Sequence, residues 1–309
     1  MINVLFSALP ARWDVYGPAL NEAFTEAELN VALSTDHPPE TVDYIIFAPN
    51  GPVSDFTPYT GCKAVLGLWA GVETVVGNPT LTQPLARMVD VGLRDSMVEW
   101  VAGHVLRHHL GMDAHIVNPD RIWNPQAAPL ARERRIGILG LGELGTACGN
   151  ALAALNFDVA GWSRRPKTIA GIECFDGNAG LDAMLGRSDM IVLLLPQTAE
   201  TENLLNADRL ARLPRGAVVI NPGRGPLIDD EALLAALDDG QVGHATLDVF
   251  RIEPLPPEHP YWDHPRVTVT PHIASTTRPD TSARVIAENI RRSEAGEALL
   301  HLVDRRAGY

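Results

Sequence analysis

The chain has 309 residues, 46% of them hydrophobic and 20% charged, a balance that suits two soluble globular domains and excludes a disordered or fibrous class. A formal net charge of −13 repels nucleic acid and anionic membrane, so neither is an expected partner, although a local basic pocket could still take a small anion. Three cysteines at irregular spacing, an apolar start without a basic lead-in and the lack of a long uncharged apolar run argue against a disulfide framework, signal peptide and membrane span, and make the cytoplasm the expected compartment.

Ile2 to Ala8 is an apolar run that predicts a first strand, and Trp13 to Ala27 predicts a helix. Further strands are predicted at Tyr44 to Ala48 and Ala64 to Leu68, so strands alternate with helices as in a parallel sheet covered on both faces. From Asp95 to Leu110 the residues Met97, Val98, Val101, Val105, Leu106 and Leu110 recur at helical spacing. The stretch Asn118 to Leu130 carries Pro119, Pro125 and Pro129 and is expected to cross between domains. His104 and His108 have the i, i+4 spacing of a metalloprotease helix, but the glutamate such a site needs is missing, so no metal site is expected.

The middle of the chain is rich in continuous apolar runs, which parallel strands buried on both faces require. They are Ile136 to Leu139, Val159 to Trp162, Ile191 to Leu195, Val218 to Ile220, Ala245 to Val249 and Val267 to Thr270, with a helix predicted between two of them at Asp229 to Leu237. This is the pattern of a doubly wound domain. After about Thr281 a last helix and a tail are expected, and they could fold back onto the first domain.

Gly140-Leu141-Gly142-Glu143-Leu144-Gly145 is a G-x-G-x-x-G between a predicted strand, Arg135 to Leu139, and a helix-prone stretch, Thr146 to Leu155. In that setting the glycines permit a tight turn, backbone approach to a pyrophosphate and close helix–strand packing, and the helix N-terminus offers N–H groups to phosphate. A site for NAD usually has an acid at the end of the next strand. Here Gly161-Trp162 is followed by Ser163, Arg164 and Arg165, a hydroxyl and two guanidinium groups that suit a 2′-phosphate. NADP is therefore the preferred cofactor, with NAD possible.

Three polar segments follow apolar runs, where ligands bind in this architecture: Asn221-Pro222-Gly223-Arg224-Gly225, Asp248 to Pro256, and Thr270-Pro271-His272. They supply an arginine, a carboxylate and a histidine. An arginine can hold a carboxylate and polarise a ketone, a histidinium can protonate the developing alkoxide, and a carboxylate can orient and charge the histidine.

The order N-x-x-R-G, D-V-F-x-x-E-P-L-P and T-P-H resembles the D-isomer-specific 2-hydroxyacid dehydrogenase family, and the match extends to Gly67 to Val72 and Met97 to Trp100. Trp162-Ser163-Arg164, Leu194-Leu195-Pro196, Pro254 to Glu258, His264 to Thr268 and the tail Val303 to Tyr309 are similar to its glyoxylate/hydroxypyruvate reductase A branch. The resemblance implies an α/β fold of two doubly wound parallel-sheet domains. A Rossmann dinucleotide-binding domain, 99–280, is inserted into a flavodoxin-like substrate domain, 1–98 and 281–309. It implies Arg224 as the group binding the substrate carboxylate and carbonyl, His272 as general acid and base, and Glu253 as its partner. Leu195, Pro196, Asn221, Pro222 and Asp248 would flank the nicotinamide, and the N–H groups of Ala70 and Gly71 would help bind the substrate. Trp69, where relatives often have a small residue, either narrows the pocket or packs in the core. The implied substrates are glyoxylate, hydroxypyruvate or similar small 2-oxo acids, and the implied assembly is a homodimer built on the nucleotide domains. The alternatives are a phosphoglycerate or formate dehydrogenase of the same family, or a non-catalytic nucleotide-sensing protein on this fold.

Overall fold

A computed structural model describes the whole chain, residues 1–309. In chain order the elements are β1 (Ile2–Ser7), α1 (Pro10–Glu26), β2 (Val31–Ser34), β3 (Tyr44–Phe47), β4 (Ala64–Gly67), β5 (Leu85–Ala86), α2 (Val91–His109) and α3 (Asp113–Ile116). They continue with β6 (Arg135–Leu139), α4 (Glu143–Ala154), β7 (Asp158–Ser163), β8 (Glu173–Asp176), α5 (Gly177–Arg187), β9 (Met190–Leu193) and α6 (Ala207–Leu210). The last are β10 (Ala217–Asn221), α7 (Asp230–Asp238), β11 (Val242–Leu247), β12 (Val267–Val269) and α8 (Pro279–Glu294). No helix is long and apolar enough to cross a membrane. The chain divides into two compact units, Met1–Leu93 with Thr276–Tyr309, and Arg94–Ser275.

The first unit holds a five-stranded sheet in the order β2-β1-β3-β4-β5, with every neighbouring pair parallel. That is the flavodoxin-like order. β3 and β4 are buried along their whole length, which explains why they read as unbroken apolar runs. On one sheet face Phe6, Leu20, Phe24, Ile46 and Leu66 pack with Ala283, Ile286 and Ile290 of α8. The C-terminal helix thus returns to the first sheet because its apolar stripe, at three- and four-residue spacing, has its counterpart there.

The second unit holds a seven-stranded, all-parallel sheet in the order β12-β11-β10-β9-β6-β7-β8. From β6 the chain winds outward to β8, then restarts at β9 and winds the other way. The gap between β6 and β9 is the reversal point at which such sheets bind ligands beyond their strand ends. Three strands lie outside the sequence expectation: β2, β5 and β8. All three are sheet edges, and they are short or only half-buried, so they lack the continuous apolar run that marks a central strand. α5 is likewise unanticipated. It contains Gly177, Gly180 and Gly186 and buries only Leu181, Met184 and Leu185.

Candidate active site

The glycine turn sits at the reversal point, between β6 and α4. Gly140 has φ 105°, and a side chain there would meet the Leu194 carbonyl oxygen at 2.5 Å, so turn and close approach both demand glycine. A Cβ on Gly145 would lie 1.7 Å from the Gly140 carbonyl oxygen. Gly142, the residue capping α4, differs: a Cβ there would meet nothing within 4 Å. The turn therefore closes against its own chain at two glycines and stays open at the third. That open side lies at the N-terminus of a 12-residue helix, where unpaired N–H groups and the helix dipole favour phosphate. Glu143 and Leu144 begin that helix, Glu143 exposed and Leu144 half-buried.

β7 ends at Ser163, whose hydroxyl donates to the Arg165 carbonyl at 2.8 Å. Arg164 and Arg165 are exposed beyond it, with Arg164 Nη1 3.0 Å from Glu200 Oε2. Lys167 joins them: its Nζ donates to the Leu141 carbonyl, inside the glycine turn, at 2.5 Å. Sequence reasoning missed this lysine, although Arg164-Arg165-Pro166-Lys167 was visible as a basic run. A dinucleotide phosphate fits this surroundings: an open backbone cradle beside three basic side chains. Leu195 and Pro196 follow β9, half-buried, and Asn221 and Pro222 close β10, both buried.

Arg224, Glu253 and His272 follow three adjacent strands, β10, β11 and β12. The Asn221 side chain shapes the first loop, donating from Nδ2 to the Arg224 carbonyl at 2.9 Å and accepting the Gly223 N–H at 3.1 Å. Arg224 Nη1 donates to the Gly223 carbonyl at 2.7 Å. Glu253 Oε1 accepts the Phe250 N–H at 2.9 Å, and Oε2 lies 2.7 Å from His272 Nδ1. With Nδ1 engaged, Nε2 is the nitrogen left to meet a ligand, and the ring is about half exposed. The hydrogen bond to Glu253 raises the His272 pKa, against the opposing effect of burial, so the imidazolium is favoured above its ordinary range. Burial pushes the Glu253 carboxyl up, but the bonds from His272 and the Phe250 N–H outweigh it and hold the group below the usual range. The positive charge of Arg224 bears on both partners.

Asp248 is completely buried just after β11. His272 adopts φ 54°. Trp69, Ala70 and Gly71 belong to the first unit, in the loop after β4, and are not brought together with the triad by the contacts within either unit. Trp69 is 44% exposed and takes no part in the cores of that unit, so the reading that buried its ring is corrected. The α2 histidines are engaged separately. His108 Nε2 lies 2.8 Å from Thr246 Oγ1, His104 packs at a tilt against Trp100, and His109 packs edge-on against Phe157.

Residues 102–274 match the family described as D-isomer specific 2-hydroxyacid dehydrogenase, NAD binding domain. The chain is 39% identical to a glyoxylate/hydroxypyruvate reductase A from Yersinia enterocolitica over 255 residues, 80% of this chain and 82% of that protein. It superposes with a TM-score of 0.93, at 40% identity over 100% of this chain and 99% of the other, on a D-isomer specific 2-hydroxyacid dehydrogenase from Xanthobacter autotrophicus solved with NADPH and MES. A second similar structure is an NADPH-dependent glyoxylate/hydroxypyruvate reductase from Sinorhizobium meliloti solved with NADP and sulfate, with a TM-score of 0.87, 35% identity and full coverage of both chains.

Proposed function

The chain belongs to the D-isomer specific 2-hydroxyacid dehydrogenase family, and from that premise we propose that it reduces glyoxylate, hydroxypyruvate and similar small 2-oxo acids to 2-hydroxy acids, with NADPH preferred over NADH. The observation that carries the reading is the His272–Glu253 pair at 2.7 Å under the charge of Arg224. The relatives solved with NADPH and NADP support the cofactor, and the curated reductase supports the substrate class.

In this reading Gly140, Gly142 and Gly145, with Glu143 and Leu144, hold the pyrophosphate. Ser163, Arg164, Arg165 and Lys167 hold the 2′-phosphate. Leu195, Pro196, Asn221, Pro222 and Asp248 flank the nicotinamide, which supplies a hydride to the carbonyl carbon when bound. Arg224 binds the substrate carboxylate and carbonyl oxygen through its planar fork and stabilises the negative charge that develops on that oxygen. His272 gives the proton on Nε2 to the same oxygen, so the ketone leaves as a hydroxyl and the imidazole is left neutral. Glu253 keeps the ring oriented and charged beforehand. The half-exposed ring then regains its proton from water, and in oxidation the neutral ring takes the hydroxyl proton instead.

The test is a panel of 2-oxo acids followed by NADPH and NADH oxidation. Glyoxylate and hydroxypyruvate should be reduced, with kcat/KM higher for NADPH. Arg164→Asp should reduce that preference by ~10-fold or more, because a carboxylate repels a 2′-phosphate, a change worth ~1.4 kcal/mol. Absence of turnover with every 2-oxo acid would favour a nucleotide-sensing protein, and equal efficiency with the two cofactors in the parent enzyme would remove the NADPH assignment.

The same reading takes the protein to be a homodimer. What supports it is the segment after α2, in which Ile116, Val117, Ile122 and Trp123 are all exposed and Trp123 is 92% so. Apolar side chains in such number mark a surface that a partner covers, and the family relation makes a second copy the occupant.

A further inference from the structure

We infer that Arg251 is a positioning residue of the reaction: its guanidinium ties together the loops that follow β9, β10 and β11 and so fixes the loop that carries Glu253. This rests on the reading of the His272–Glu253 pair as the acid–base machinery. Arg251 occupies one of the two positions that the pattern D-V-F-x-x-E leaves open, outside the residues given a role above.

β9, β10 and β11 are neighbours in the sheet and run parallel, so the loops that leave them emerge at the same end. The first two loops are stitched to each other by their backbones. The Asn203 N–H donates to the Pro226 carbonyl at 2.8 Å, the Leu205 N–H to the Leu227 carbonyl at 3.0 Å and the Asp229 N–H to the Leu205 carbonyl at 3.1 Å. Leu205, Leu227 and Ile228 are buried in the core below. Arg224 belongs to this stitched pair.

The third loop lacks such support just where it carries the carboxylate. Arg251, Ile252 and Glu253 lie outside every helix and strand and make no backbone–backbone hydrogen bond. Two contacts hold them instead. One is steric: a Cβ on Gly225, the neighbour of Arg224, would lie 2.0 Å from the Phe250 carbonyl carbon and 2.5 Å from the Arg251 nitrogen. The other is the Arg251 side chain. Its Nη2 donates to the Ile228 carbonyl at 2.6 Å and also to Asn203 Oδ1, while Nε lies 3.4 Å from Asp230 Oδ2 and Nη1 3.6 Å from Glu202 Oε1. A guanidinium spreads five N–H donors over a rigid plane, so one side chain can serve both other loops at once, which the compact ammonium of a lysine cannot.

The partners of Arg251 are themselves fixed. Asp230 opens α7 and accepts the hydroxyl of Tyr261, a buried residue, at 3.0 Å. Burial pushes the Asp230 carboxyl up, with Tyr261 and Arg251 opposing the rise. Asn203 has φ 49°, a left-handed conformation that asparagine tolerates better than most side chains.

From this anchor the path to the acid is short. Two residues after Arg251, Glu253 turns Oε1 back to the Phe250 N–H at 2.9 Å and presents Oε2 to His272 Nδ1 at 2.7 Å. The 250–253 backbone thus aims the carboxylate, and Arg251 holds that backbone. Besides Glu253, the charges of Arg224 and Asp248 bear on His272. A further cation acting by charge alone would disfavour the imidazolium, so its removal would raise the His272 pKa. Removing the anchor of Glu253 lowers it. The two effects have opposite signs.

The experiment uses the full-length enzyme as Arg251→Met, as Arg251→Lys, and as Arg251→Met combined with Glu253→Gln. Rates are followed against pH in both directions, together with melting temperature. In Arg251→Met kcat for reduction should fall by ~10-fold or more, with the alkaline limb of reduction and the acid limb of oxidation both at lower pH. Arg251→Lys keeps the charge and loses the fork, and should move the limbs in the same direction. Added to Glu253→Gln, Arg251→Met should leave the limbs where Glu253→Gln puts them, because both act through one carboxylate. Limbs that stay in place in Arg251→Met, with or without a lower melting temperature, overturn the inference and leave Arg251 merely structural. A shift to higher pH, or a further shift in the combined variant, overturns it as well. Should Arg251→Met not fold, Asn203→Gly decides: glycine takes the φ of 49° without strain and removes one acceptor of Arg251, so the limbs should again move to lower pH, and unmoved limbs overturn the inference. Glu253→Gln alone separates the two readings. If its limbs stay in place, the reading of the pair fails; if they move and those of Arg251→Met do not, only the present inference fails.

Discussion

At His272 two effects oppose each other, and in the proposed acid–base role their balance would set the pH dependence of the reaction. The bond from Glu253 raises the imidazole pKa more than burial lowers it. In the proposed mechanism reduction needs the proton on His272, so its rate should hold at low pH and fall as pH rises through this elevated pKa. Oxidation needs the neutral ring and should rise through the same pKa. Glu253→Gln keeps the shape and loses the charge, so the pKa falls, and both the alkaline limb of reduction and the acid limb of oxidation move to lower pH. Profiles of kcat/KM against pH for parent, Glu253→Gln and His272→Gln would check this, with the last variant expected to lose the shared ionisation. A limb that stays in place in Glu253→Gln would remove Glu253 as the charge partner.

The glycine turn and the α2–β11 contact each make a prediction about an element. A methyl group at Gly142 enters open space, while one at Gly145 meets the Gly140 carbonyl oxygen. Gly142→Ala should keep the melting temperature of the parent and bind NADPH ~10-fold or more weakly, since only the ligand would meet the methyl. Gly145→Ala should lower the melting temperature as well, by an overpacking penalty of ~1–3 kcal/mol or more. Equal thermal stability of the two variants would show that the close contact at Gly145 is readily relieved.

Beneath β11, burial and its neighbours His244 and Arg107 push the His108 pKa down to about 3. Burial and Arg107 push that of His244 down to about 4. Their rings lie 4.8 Å apart. Both values are depressed below the ~6.5 of an unfolded chain, so the unfolded state takes up protons first as pH falls. The stability these neutral rings allow is full above about pH 6.5 and declines as pH drops toward the folded-state values. Melting temperature measured between pH 7 and 5 should fall less steeply in a His108→Gln, His244→Gln double variant than in the parent. An unchanged slope would mean that other groups carry the acid sensitivity.

For the molecule as a whole, the exposed 113–130 segment is the feature that bears on the proposed dimer. Trp123 and Ile122 contribute apolar surface that nothing in their own chain covers. A Trp123→Glu, Ile122→Glu variant should leave each unit folded and shift the protein from dimer to monomer in light scattering after size exclusion, because two charges would have to be buried in the interface. A monomeric parent, or a variant that stays dimeric, would dismiss this segment as the contact. Net charge sets a further condition: at −13 two copies repel, so the proposed dimer should tighten with moderate salt.

Much of this is legible in the amino-acid sequence by itself. Central strands announce themselves as unbroken apolar runs, the glycine fingerprint is contiguous, and Arg224, Glu253 and His272 each follow such a run, so local pattern sufficed to mark them as candidates. What depends on distance was not legible. Lys167 reaches the Leu141 carbonyl across 26 positions, and edge strands such as β8 take their identity from a neighbour and not from their own composition. Trp69 read equally well as core or as surface, since a tryptophan's pattern is the same in both, and only packing exposed it. The direction of the His272 shift was open for the same reason. A carboxylate raises it and burial lowers it, and which prevails depends on a 2.7 Å separation that no spacing in the chain encodes. Asp248 shows the difference most clearly. Its place after a strand marks it as a candidate site residue, and only the fold brings its carboxylate onto the amides of a loop more than twenty residues away in the chain.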